Sequence, residues 1–115
     1  MKVERPTRLR IGPFTYRVAW EDVIYDTNDA GETDETMPIL SARVEHANLT
    51  IRVLKSLAIP VQRKSLLHEV IHACNWITGH ADRTDEEQIV RSLAFPILDV
   101  LRDNPRFVAW LMEKP

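Results

Sequence analysis

The period of the apolar residues changes once along this chain, near residue 55, and that change limits the fold more than any other feature. Upstream, apolar and polar residues alternate, as in strands with one buried face. In "RLRIGPFTYRVAW" (8–20), Leu9 and Ile11, then Phe14, Tyr16, Val18 and Trp20, alternate around a Gly12-Pro13 turn. In "ILSARVEHANLTIRVL" (39–54), Ala42, Val44 and His46 share one parity, and Leu49, Ile51 and Val53 line one face of a further strand. The turn between them is expected at Ala47-Asn48. Downstream the period is helical. Pro60 suits a first helical turn, where its missing N–H costs nothing, and Gly79 suits the position just past the end. Thr84 and Glu87 form a capping-box pattern before a second helix. Its buried stripe is Ile89, Val90, Leu93, Ile97, Val100 and Leu101, with a kink expected at Pro96. Asn104-Pro105 ends that helix and caps a short last one holding Phe107, Val108, Trp110 and Leu111. Strands first and helices after means α+β: an N-terminal antiparallel sheet of about four short strands, then three helices.

At 115 residues the chain makes one domain, 1–115, able to bury a single core. The net charge of −2 sets up no global field for nucleic acid, and none is expected as a partner. Lys2, Arg5, Arg8, Arg10 and Arg17, against Glu4, read as a solvated strand face rather than a phosphate-binding patch. Cys74 is the only cysteine, which excludes an internal disulfide and a cysteine-based zinc knuckle. No apolar run approaches the roughly 18 residues of a membrane span, and the N-terminus lacks the apolar segment of a signal peptide. A cytoplasmic monomer is the expectation. The acidic stretch "DTNDAGETDET" (26–36) fails as a calcium loop, because Ala30 and Met37 fall where oxygen ligands are needed. It reads as a solvated excursion.

The chemistry concentrates in "LLHEVIHAC" (66–74). His68-Glu69-Val70-Ile71-His72 fits the H-E-x-x-H pattern. On a helix, residues four apart share a face, so both imidazoles can reach one zinc ion. Glu69 could take a proton from an attacking water without binding the metal. Leu67, Val70, Ile71, Cys74 and Ile77 offer the core face. Two histidines satisfied by hydrogen bonds are the bland alternative, but the five-residue pattern in a helical setting is specific enough to favour zinc. A third ligand is required. A metzincin would place Gly and His three and six residues after the second histidine, where this chain has Asn75 and Thr78. The candidates left are His80, Glu86 and Glu87, and helical phase alone favours Glu86.

The segments "LLHEVIHACNWITG", "EEQIVRSL" and "VLRDNP" resemble the small phage-encoded zincin-like metallopeptidases, distant relatives of the SprT and ImmA/IrrE-type zinc peptidases. The resemblance runs from the first hairpin to "LRDNP" and rests on HExxH plus a downstream glutamate. It implies a zincin-like fold and a third ligand from a Glu-x-x-Val/Ile-x-x-Leu helix. Glu87, Val90 and Leu93 fit that register, so Glu87 is the expected ligand, with Glu86 the alternative. The activity implied is hydrolysis of peptide bonds in a peptide or protein substrate, with Zn2+ held by His68, His72 and Glu87 and with Glu69 as general base. A substrate strand is expected to pair with an edge strand at 49–54. No oxyanion stabiliser is identified: Tyr16, Tyr25 and His80 are the residues to consider, and each is read as structural. The competing function is a non-catalytic zinc-binding interaction or regulatory module of phage or bacterial origin. His46 receives no role, and Trp20, Trp76 and Trp110 are assigned to the core.

Overall fold

Leu9 faces Tyr16 and Ile11 faces Phe14 across a tight turn, so β1 (Arg8–Ile11) and β2 (Phe14–Glu21) form an antiparallel hairpin. Gly12 takes a φ of +58 there, a left-handed conformation that glycine adopts at no steric cost. The computed structural model describes residues 2–25, 40–79 and 86–114, and of residues 86–88, 90 and 91 only the backbone. The acidic stretch at 26–36, His80 and the Thr84 cap lie outside the described residues.

A second hairpin joins β3 (Ala42–Glu45) to β4 (Thr50–Leu54), and its turn falls at 46–49, as expected. The sheet is not antiparallel throughout. Its order is β1-β2-β4-β3, and β4 runs parallel to β2, with Val18 beside Ile51 and Trp20 beside Val53. The long connection after β2 carries the chain past one strand position, and the hairpin then folds β4 back into the gap. Burial explains the exchange: Ile51 and Val53 are fully buried, whereas every residue of β3 is only half-buried. The more apolar strand takes the centre. The expectation of an edge strand at 49–54 is therefore corrected, because the edges are β1 and β3.

Three helices follow: α1 (Ile59–Ile77), α2 (Glu86–Asp103) and α3 (Pro105–Met112). α1 begins beside Pro60 and ends with Gly79 at φ +76, as the sequence requires. Its buried arc is Leu66, Val70, Ala73 and Cys74, against Tyr16, Val18, Ile51 and Val53 of the sheet. Ile71 was expected on this arc and is exposed, while Leu67 and Ile77 sit at its margin. One position along a helix turns the side chain by roughly 100°, so Ile71 cannot share the direction of Val70. α2 runs through Pro96 as one helix. Its stripe is shallower than its pattern: Val100 is buried, Leu93 and Ile97 are half-buried, and Leu101 is exposed. From α3, Phe107 and Trp110 enter the core, and Trp110 meets Trp20 edge-on at 5.7 Å.

Polar ties fix these layers. Gln62, buried on α1, donates to the carbonyls of Lys55 and Leu57 and so locks the β4–α1 turn. Asn104 was expected to cap α3, but its side chain makes no cap hydrogen bond. It instead accepts from the Arg10 N–H and donates to the carbonyls of Arg10 and Val100, tying β1 to the α2–α3 junction. No helix among the described residues is long and apolar enough to cross a membrane.

Candidate functional site

His68, His72 and Trp76 follow one another along α1 at four-residue steps, all three exposed. This spacing puts the two imidazoles one turn apart on one side. Their Nε2 atoms share a hydrogen bond at 3.0 Å, with the rings edge-to-face at 68°. A tetrahedral zinc with nitrogen ligands at about 2.0–2.1 Å separates two donors by roughly 3.3–3.4 Å. The pair fits such an ion with a small opening of the rings.

Glu69 follows His68 on α1. It is 8% exposed, against β3 rather than in solvent. With His68 it lines an open cavity of about 230 Å³, together with Leu40, Ser41, Ala42, Val61, Lys64 and Ser65. Burial pushes its carboxyl above the ordinary range, against the downward pull of His72 and His68.

Among the described residues, no third metal-ligating group stands with the two histidines. Glu86 and Glu87 open α2, which packs against α1, but only their backbone is described. His80 lies outside the described residues. Of the aromatic candidates, Tyr16 is fully buried, and its hydroxyl stands 3.4 Å from His46 Nδ1. Burial raises the Tyr16 pKa, with Cys74 adding to it, so the phenol stays protonated. The Tyr25 carbonyl accepts from Arg43. Cys74 is buried and its thiol is pushed up to about 11, which makes it inert as a nucleophile.

Sequence reasoning missed His46. Its ring lies flat on Trp76, with centroids 4.7 Å apart and planes 5° from parallel. Burial lowers its pKa, and the charge of His72 lowers it further. Trp76 is 41% exposed, not a core residue, and Phe14 packs against it at 6.2 Å. The turn expected at Ala47-Asn48 puts His46 at a strand end, but no local signal joins it to a tryptophan on a helix. No protein-family model matches the chain, and no curated protein or solved structure is significantly similar to it.

Proposed function

We propose that this chain is a zinc-dependent peptidase of zincin-like type. The observation that carries the reading is the convergence of His68 and His72 at 3.0 Å on the exposed face of α1, with the Glu69 carboxylate held beside them. His68, His72 and Glu87, or Glu86 in its place, would hold the ion. A bound zinc supplies Lewis acidity toward a substrate carbonyl and an attacking water. Glu69 takes the proton of that water and returns it to the leaving amine. Its burial keeps it basic. β3 is the edge strand nearest this cavity, so an extended peptide or protein substrate would pair there rather than along 49–54.

One observation favours the second reading, a non-catalytic zinc-binding interaction module. The cavity of about 230 Å³ is smaller than the roughly 300–1,000 Å³ of typical ligand sites. Metal content separates zinc binding from its absence. The parent, purified without added metal, should carry about one zinc per chain, and the His68→Ala/His72→Ala variant should carry almost none. Equal zinc in both would remove either reading.

A further inference from the structure

The helices pack on one face of the sheet, whose inward residues form the core. The other face carries arginines, and it divides into two unlike halves. On the β3 side every arginine is neutralised: Glu45 binds both Arg43 and Arg52, and Glu21 also binds Arg52. On the β1 side Arg8 lies directly opposite Arg17 in the hairpin register. The Val18 N–H donates to the Thr7 carbonyl, and the Arg17 N–H turns away to Leu49 of the other hairpin. Alternation of the ladder then makes Arg8 and Arg17 a non-hydrogen-bonded pair, the closer of the two cross-strand arrangements. Like charges placed so close destabilise a sheet. Both side chains are exposed, and neither has an acidic partner among the described residues.

The two arginines line an open groove of about 730 Å³ together with Thr7, Thr15, Asn48 and Thr50. Among the described residues no carboxylate lines it. The Thr50 hydroxyl donates to the Asn48 carbonyl, which holds the turn over one end of the groove. Arg10, two residues along β1 on the same face, is fastened by its Nε to the Gly12 carbonyl and adds a third cation nearby. Two guanidinium forks and the hydroxyls of Thr7 and Thr15 match the oxygens of a phosphoryl group. The aromatic residues of the hairpin lie on the opposite parity, so no outward platform for base stacking exists on these strands.

We propose that the Arg8–Arg17 groove binds a phosphate-bearing anion, whose charge relieves the repulsion built into the hairpin. This revises the reading of those arginines as a merely solvated face, and it is independent of the zinc site. The source is either a free phosphate ester or the backbone of a nucleic acid, and two probes tell them apart: inorganic phosphate, followed by amide chemical shifts, and a short fluorescein-labelled oligonucleotide of mixed sequence, followed by anisotropy. At least one should bind the parent chain. Arg8→Gln/Arg17→Gln should weaken that binding by at least roughly tenfold, without lowering the melting temperature, since it removes a like-charge pair. Arg102→Gln/Lys114→Gln removes the same charge elsewhere and should bind as the parent does. Binding of phosphate itself identifies a small ester as sufficient, and binding of the oligonucleotide alone identifies the backbone. The proposal is overturned if neither probe binds, if Arg8→Gln/Arg17→Gln binds like the parent, or if the control pair loses as much.

Discussion

Replacing Asn104 by Asp separates two accounts of the α2–α3 junction. As a helix N-cap, aspartate serves as well as asparagine, so a capping residue would tolerate the change. The structure gives Asn104 a different task. Its Nδ2 donates to the Arg10 carbonyl at 2.9 Å and to the Val100 carbonyl at 2.7 Å, while Oδ1 accepts from the Arg10 N–H at 2.9 Å. Aspartate keeps the acceptor, loses both donated bonds, and turns a carboxylate oxygen toward two carbonyl oxygens. At about 1 kcal/mol net per hydrogen bond, the loss is about 2 kcal/mol before the repulsion is added. For a domain of this size that lowers the melting temperature by roughly 10 °C. Urea titrations followed by tryptophan fluorescence should show the midpoint fall with the slope unchanged. Asn104→Ala, which loses all three bonds, should fall into the same range. If Asn104→Asp stays within about 0.5 kcal/mol of the parent, the residue acts as a cap and the cross-link carries no weight.

Three further outcomes are expected. Glu87→Gln should weaken zinc retention more than Glu86→Gln in a chelator competition; the reverse order moves the ligand to Glu86, and no effect from either removes the α2 carboxylate from the site. Glu69→Gln should retain zinc and melt near the parent, while peptide hydrolysis, screened on a mixed library, falls by at least about a hundredfold; cleavage by both proteins alike would mark a contaminant. Burial pushes the Glu45 carboxyl up, but hydrogen bonds and charge from Arg52 and Arg43 outweigh it and hold the pKa below the usual value. Its stabilising contribution is therefore complete above the ordinary glutamate range and lost as pH falls through the depressed value. Melting temperature plotted against pH should drop less steeply on the acid side for Glu45→Gln than for the parent, and parallel curves would refute the role.

What the sequence determined by itself is what depends on near neighbours. Alternation placed the four strands, Pro60 and Gly79 bounded α1, and the four-residue spacing of His68 and His72 put two imidazoles on one helical face, because backbone geometry alone fixes these relations. The tertiary structure decided everything that joins distant segments. β4 displaced β3 from the place beside β2 because Ile51 and Val53 bury fully there, and this strand order turned an expected antiparallel sheet into a mixed one. Asn104 found its partner 94 residues away on Arg10, and His46 found Trp76 on another element. Glu69 lies under β3 rather than in solvent for the same reason. A side chain's local pattern sets the direction in which it leaves the backbone, whereas what it meets there depends on how the sheet and helices close on one another.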